Sequence, residues 1–138
     1  MARRPAADAG ITLAPNPNRV IVRVGGVIVA DTTHALVMRA PGTPDQSYIP
    51  REDVDMTRLV RTELATHCPY KGDASYWSIQ SGPRTVENAV WSYEAPYDDM
   101  APITGYLAFY PERGRGRGAA SRLSAMTRRR SPRPSRFR

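Results

Sequence analysis

The chain has 138 residues, a formal net charge of +7 and one cysteine. This length suits one domain, and no apolar run approaches the roughly 20 residues that a membrane span requires. One cysteine cannot form an internal disulfide, and the polar N-terminus has no apolar signal-peptide region. We therefore expect a domain that folds without disulfides in the reducing cytoplasm and does not contact a membrane.

The positive charge is concentrated at the C-terminal end. Residues 1–110 contain 10 Lys+Arg and 12 Asp+Glu, a balance of −2, whereas residues 111–138 contain 10 Arg and one acid, a balance of +9. The body of the chain is therefore mildly acidic, and the basic character belongs to the tail.

The first half of the body predicts short strands joined by turns. Residues 1–18 lack any apolar period and predict a flexible N-terminal arm. Alternating valines and isoleucines at 19–32, interrupted by Gly25-Gly26, predict a hairpin, and a third strand follows at 34–39. After a loop at 40–46, Pro50 and the acids that follow it favour a short helical turn.

The second half of the body continues this pattern. The segment 67–73 is predicted to be a loop, because Pro69 and Gly72 both interrupt regular structure. A further loop with one helical turn is expected between 95 and 105. Strands are predicted at 57–65 (where a helix is the alternative), 74–80, 85–94 and 106–111. About seven short strands and little helix indicate a mainly β fold, a compact antiparallel folded sheet or barrel-like sheet, over residues 19–112.

The tail, residues 113–138, has no periodic apolar residues and is predicted to be disordered. Its Arg-Gly steps resemble the arginine-rich segments that contact nucleic acid. Two interpretations stay open: a solvated extension without a function, and a segment that binds nucleic acid without sequence preference.

Scarce reactive side chains are concentrated in the segment "THCPYKGDASYW", residues 66–77. It contains Cys68, the single lysine Lys71, one of two histidines, His67, and one of two tryptophans. Either these residues form a site, or a turn has brought them together without a function.

Cys68 and Lys71 are the candidate catalytic residues. A thiol becomes nucleophilic when a nearby cation lowers its pKa, and Lys71 and His67 are close in sequence; the alternative is a small buried apolar cysteine. Lysine can serve as a phosphate-binding charge or as a nucleophile, although most exposed lysines do neither. The sequence "KGDA" half-matches the K-x-D-G signature of covalent nucleotidyltransferases such as DNA ligases, with Ala74 where that signature has glycine.

Metal and cofactor sites are not indicated. A structural zinc site requires four ligands that are usually Cys or His, whereas the chain offers one Cys and two His, so no metal is expected. No phosphate-binding glycine loop is present, and no pattern identifies a cofactor.

The aromatic residues predict a ligand site beside this loop. On strand 74–80 Trp77 faces one way and Tyr76 the other, and on strand 85–94 Ala89, Trp91 and Tyr93 share a face. A mixture of cationic and hydroxyl groups around an apolar floor suits a small anionic or planar ligand; simple core packing is the alternative. The candidate ligand-binding residues are Tyr48, Arg51, His67, Tyr76, Trp91 and Tyr93.

Four stretches carry a resemblance to a known family: "YIPREDV", "THCPYKGDASYW", "WSYEAP" and "APITGYLAFYPE". In this order, over roughly residues 19–112, they resemble the domain of unknown function 427 family, small bacterial domains also filed under a nucleotidyltransferase-like label. The matching residues are Tyr48, Pro50, Arg51, Thr66, Cys68, Pro69, Lys71, Gly72, Tyr76, Trp77, Trp91, Tyr93, Gly105 and Phe109.

The resemblance implies a fold more than an activity. It implies a β-tent or Mss-four-like sheet, related to methionine sulfoxide reductase B and the cereblon ligand-binding domain. Many of those relatives bind zinc through four cysteines, so this chain would be a zinc-free version. The nucleotidyltransferase label is only a name, and the Arg-rich run after Pro111 departs from the family pattern.

Three functional hypotheses follow. The first is a cytoplasmic domain that binds a small molecule beside the HCPYKG loop. The second is a nucleotidyltransferase-like enzyme that uses Lys71, with Asp73 or Glu94 as an acid–base or metal partner. The third is association with nucleic acid through the tail.

Overall fold

A computed structural model describes residues 4–110 and, as backbone only, residues 123–128. Short 3-10 turns cover Ala6–Ala9, Arg51–Asp53, Met56–Arg58 and Asp98–Ile103. The strands are β1 Thr12–Asn16, β2 Arg19–Val24, β3 Val27–Thr32, β4 Ala35–Arg39, β5 Gln46–Tyr48, β6 Leu59–Cys68, β7 Gly72–Ser81, β8 Arg84–Ser92, β9 Ala108–Phe109 and β10 Leu123–Arg128.

The strands of the described chain form three antiparallel sheets, with the orders β1-β4-β5, β10-β2-β3 and β6-β7-β8-β9. This confirms the prediction of a mainly β, antiparallel fold. Each sheet has two edge strands, so none of these sheets closes into a barrel. Isolated bridges join Ile49 to Leu107, and Ala30 of β3 to Val54.

The predicted hairpin at the start of the body is present. Val24 pairs with Val27 across a two-residue turn of Gly25 and Gly26, whose φ angles are 57° and 101°. Glycine adopts positive φ without a steric cost, which is why this pair can reverse the chain so tightly. The expected helical turn after Pro50 is also present, at Arg51–Asp53.

The segment predicted to be a loop at 67–73 is instead the tip of a hairpin. His67 pairs with Asp73 and Cys68 pairs with Gly72, so β6 and β7 are joined by residues 69–71 alone. Gly72 has a φ of 113°, and a Cβ there would lie 3.4 Å from the backbone of Pro96. The cross-strand pairing of β6 and β7 continues up to this turn. Pro69 and Gly72 therefore shape a tight turn and not a longer loop.

Two strands lie where the sequence predicted none. Within the predicted arm, residues 1–18, β1 pairs with β4 from Thr12 to Asn16. Within the predicted disordered tail, residues 113–138, β10 pairs with β2. The prediction of disorder is thus wrong for 123–128, because the edge of β2 supplies backbone partners that the sequence pattern does not reveal. The rest of the tail lies outside the described residues.

The central strand β7 packs against a hydrophobic core on each of its two faces. Side chains along β7 alternate between two cores, because successive residues of a strand point to opposite faces. One core contains Trp77 and Ile79, and the other contains Ala74 and Tyr76. The core on the Trp77 face also contains Val22, Val24, Ile49, Val90 and Leu107. The core on the Tyr76 face also contains Met38, Tyr48, Tyr93, Met100 and Ile103.

An irregularity in β8 changes one predicted face. Trp77 pairs with Val90 but Ile79 pairs with Val86, so β8 has extra residues at this point, and Asn88 there has a φ of 50°. Ala89 consequently packs in the core on the Trp77 face. The prediction that Ala89 shares a face with Trp91 is therefore wrong, because a bulge interrupts the alternation of the strand.

Candidate functional site

Lys71 lies at the tip of the β6–β7 hairpin and is held there by backbone hydrogen bonds. Its N–H donates to the carbonyl of Cys68, and its carbonyl accepts from the N–H of Tyr97. Its Nζ lies 5.7 Å from the ring centroid of Tyr93, within the range of a cation–π interaction. Among the described residues Lys71 forms no ion pair.

Tyr93 forms the floor under this lysine. Its side chain is buried, and within the described part of the chain its hydroxyl has no hydrogen-bond partner. Burial is the largest of the effects that raise the pKa of Tyr93, and the neighbouring Tyr48, Cys68 and Tyr76 raise it further. Tyr93 therefore stays a neutral phenol, and its hydroxyl can donate a hydrogen bond to a ligand.

Further tyrosines surround Tyr93 on the same side of the sheet. Burial raises the pKa of Tyr48 to about 12, against the opposing effect of a hydrogen bond from Trp91. Trp91 Nε1 donates to the Tyr48 hydroxyl at 3.4 Å, and the Tyr76 hydroxyl lies 3.0 Å from Thr66 Oγ1. Tyr48 and Tyr76 are only 1% and 7% exposed, so they support the site from beneath.

Trp91 extends the aromatic surface to the boundary with solvent. Its ring centroid lies 4.4 Å from that of Tyr110, and it meets Tyr48 edge to face at 6.4 Å. Trp91 and Tyr110 are both half-buried. Their planar apolar rings therefore lie at the edge of the core and are partly exposed to solvent.

Cys68 belongs to the same side. It is a free cysteine of intermediate exposure and packs against the core that contains Tyr76. His67, its neighbour on β6, lies on the other side, where its Nδ1 is 2.6 Å from Asp73 Oδ1. Among the described residues no hydrogen bond joins His67 to Cys68, so the structure does not form a Cys–His nucleophile pair.

Arg51 is also separated from Lys71. Its guanidinium carbon lies 5.5 Å from the Trp77 ring centroid, and its Nη2 lies 3.1 Å from Glu94 Oε2. Trp77 and Tyr76 alternate across β7, so Arg51 lies on the opposite face from the tyrosine cluster. The expected grouping of Arg51 with Lys71, Tyr48 and Tyr76 is wrong for this reason.

The candidate residues thus divide into two groups. The site beside Lys71 contains Lys71, Cys68, Tyr48, Tyr76, Trp91 and Tyr93, and we call it the lysine site. Arg51 and His67 lie outside it. The two carboxylates considered as partners of Lys71 have other contacts, Asp73 with His67 and Glu94 with Arg51 and Arg61.

Sequence reasoning missed Tyr110 and Arg61. Tyr110 was only part of a predicted last strand, and its contact with Trp91 depends on how β9 joins β8. Arg61 was only part of a predicted strand. The alternation of side chains along β6 could have indicated which face of the sheet its side chain is on. The cross-strand register that brings it to Trp77 is not visible in the sequence.

The described residues contain neither a cluster of metal-binding side chains nor a membrane-spanning helix. No group of three or more His, Cys, Asp or Glu side chains is arranged to hold a metal ion there. Within the same residues no helix is long and apolar enough to cross a membrane.

The chain matches a protein-family model. The family model described as "Domain of unknown function (DUF427)" matches residues 12–118. The chain belongs to this family. The match begins at β1, includes the whole lysine site and ends before β10. No curated protein matches the chain. The nucleotidyltransferase label attached to the family model is a name and assigns no activity.

Proposed function

We propose that this domain binds a small anionic, planar molecule at the lysine site. The observation that carries the proposal is the Lys71 ammonium group, which lies over the Tyr93 ring and has no ion pair within the described residues. An ammonium group placed beside a low-dielectric aromatic surface attracts an anion more strongly than one in open solvent.

The chemistry around Lys71 defines the ligand class. Lys71 supplies a positive charge, and the Tyr93 hydroxyl supplies a donor that has no partner in the described chain. Trp91 and Tyr110 supply partly exposed rings. A flat molecule with one carboxylate or phosphate group can pair with Lys71 while its ring packs on Trp91. We place this function in the cytoplasm, because the chain has a single cysteine and it is free.

A nucleotidyltransferase-like reaction is the second candidate. It is favoured by the same Lys71, which has no ion pair among the described residues, since a lysine amine can act as a nucleophile that forms a covalent intermediate. Association of nucleic acid with residues 113–138 remains a prediction from the composition of the tail.

Mass spectrometry under native and denaturing conditions tests the first two candidates together. The protein is incubated with nucleoside triphosphates and magnesium, and separately with aromatic carboxylates. The matched control for Lys71→Gln is Arg84→Gln, which removes a positive charge at the turn that begins β8, the other end of β7.

We expect a complex in the native spectrum that Lys71→Gln weakens about tenfold or more and Arg84→Gln leaves unchanged. Equal binding by the native chain and Lys71→Gln would overturn the proposal. An adduct that survives denaturation and is absent from Lys71→Gln would replace it with the covalent nucleotidyltransferase.

A further inference from the structure

A second group of charged side chains lies on the face of the sheet opposite the lysine site. The guanidinium carbons of Arg51 and Arg61 lie 5.5 and 5.2 Å from the Trp77 ring centroid. Glu94 bridges them, with Oε2 3.1 Å from Arg51 and Oε1 3.1 Å from Arg61. Each carboxylate oxygen therefore pairs with one guanidinium group, and both guanidinium groups rest on one indole ring.

Two serines lie beside this arginine pair. Arg61 Nη2 donates to Ser75 Oγ at 2.8 Å, and Ser75 pairs across the sheet with Ser92. Directly opposed residues share a face, so Ser92 lies on the side of the sheet that carries Arg61.

Ser92 differs from Tyr93 and the other described polar side chains because its unpartnered oxygen atom is itself shielded from solvent. It is fully buried, and among the side chains that the structure describes its Oγ is the buried polar atom without a hydrogen-bond partner. Buried hydroxyl groups are hydrogen-bonded in the great majority of folded proteins. The Ser92 hydroxyl therefore leaves a hydrogen-bonding group unsatisfied on the face of the sheet that carries Arg61.

The charges of the group define what it can accept. Arg51 and Arg61 carry two positive charges and Glu94 one negative charge, which leaves a balance of +1. The side chains are 41%, 56% and 36% exposed, respectively, so a solute can reach them. Guanidinium groups bind phosphate oxygens in a paired, planar geometry, and a dianion neutralises two arginines where a carboxylate neutralises one.

We propose that Arg51 and Arg61 form a binding site for the phosphate group of a small molecule, in which the phosphate takes the position of Glu94 between the two guanidinium groups. Glu94 holds the arginines in place in the free protein and competes with the ligand. The hydroxyl of Ser75, which accepts a hydrogen bond from Arg61, lies beside this site. This site is separate from the lysine site, because it lies on the other face of β7.

Two-dimensional NMR of the full chain tests this proposal, since the two tryptophan indole N–H signals report on the two faces separately. The Trp91→Phe variant assigns the signals. Inorganic phosphate, phenyl phosphate and benzoate are titrated as probes, at a pH where phosphate is a dianion. Comparing phenyl phosphate with inorganic phosphate shows whether an organic group increases the affinity. Benzoate tests whether a carboxylate is sufficient for binding.

We expect phosphate probes to shift the Trp77 signal, and Glu94→Gln to tighten binding about tenfold because an internal competitor is removed. Arg61→Gln should weaken binding by a similar factor, and Arg61→Lys by less. Arg39→Gln is the matched control, since Arg39 is an exposed arginine paired with Asp45 elsewhere. Melting curves confirm that each variant is folded.

Weaker or unchanged phosphate binding by a folded Glu94→Gln variant would overturn the proposal. So would equal losses in Arg61→Gln and Arg39→Gln, which would indicate diffuse attraction to positive charge. Lys71→Gln should leave the Trp77 response unchanged, so failure of the lysine site and failure of the arginine site give different results.

Discussion

The two faces of the sheet β6-β7-β8-β9 are built from similar residue types but differ in how charge is compensated. On the Trp77 face, two arginines are joined by Glu94 and stack on an indole ring. On the Tyr76 face, Lys71 lies over Tyr93 and has no ion pair among the described residues. A cation beside an aromatic ring is therefore not sufficient to define an anion-binding site. Where an acidic side chain already pairs with the cation, an anionic ligand must compete with that side chain.

Truncation of one buried isoleucine on each face tests whether both faces of the sheet pack against a hydrophobic core. Ile79 packs on the Trp77 face and Ile103 on the Tyr76 face, and each is completely buried. Ile79→Ala and Ile103→Ala should each lower the free energy of unfolding by about 3 kcal/mol, since each leaves a cavity.

Urea denaturation measures both losses. Ile28→Ala is the matched control, because Ile28 is 44% exposed, and its loss should be about 0.5 kcal/mol or less. If Ile103→Ala behaved like Ile28→Ala, the Tyr76 face would be a surface layer rather than a core.

The buried phenols of the Tyr76 face should make stability fall at alkaline pH. Burial raises the pKa of Tyr48 from 10.0 to about 12, so the folded protein holds this proton more tightly than the unfolded chain does. Its contribution to stability is complete below pH 10 and is lost as the pH rises towards 12. The loss for Tyr48 is on the order of 1–3 kcal/mol, since one pKa unit corresponds to about 1.4 kcal/mol.

Denaturation at pH 9 and pH 11 measures this effect, with Tyr48→Phe beside the native chain. The drop in stability between the two pH values should be smaller in Tyr48→Phe, because phenylalanine has no proton to lose. Tyr70→Phe is the control, because Tyr70 lies in the β6–β7 turn and is only half-buried. An equal drop in all three proteins would mean that the Tyr48 phenol is not buried.

The smallest expected effect concerns the ion pairs of the Trp77 face. A double-mutant cycle with Arg61→Gln and Glu94→Gln should give a coupling of about 0.5–1 kcal/mol, since exposed pairs contribute little and a network contributes somewhat more. The isolated pair of Arg39 and Asp45, both more than half exposed, should give about 0.3 kcal/mol or less. Equal coupling in the two cycles would show that Glu94 does not hold the arginines as a unit.

The sequence determined the class of the fold and much of the lysine site. Short alternating apolar runs predicted the strands, the Gly25-Gly26 pair predicted its hairpin, and Pro50 predicted its helical turn, because these signals act over a few neighbouring residues. The rare side chains at 66–77 indicated Lys71 and Cys68 as candidate site residues. The structure places both on the side of the sheet that carries Tyr93.

Only the tertiary structure decided which residues of distant segments meet. Arg51 and His67 were expected beside Lys71, but the register of β6 on β7 and the position of the Arg51–Asp53 turn place them on the other face. Because of the bulge at Asn88, Ala89 packs in the core on the Trp77 face. The edges of β4 and β2 pair with β1 and β10, respectively. Alternation along a strand is a local property, whereas register, bulges and edge pairing depend on the partner strand, so the sequence of one segment cannot specify them alone.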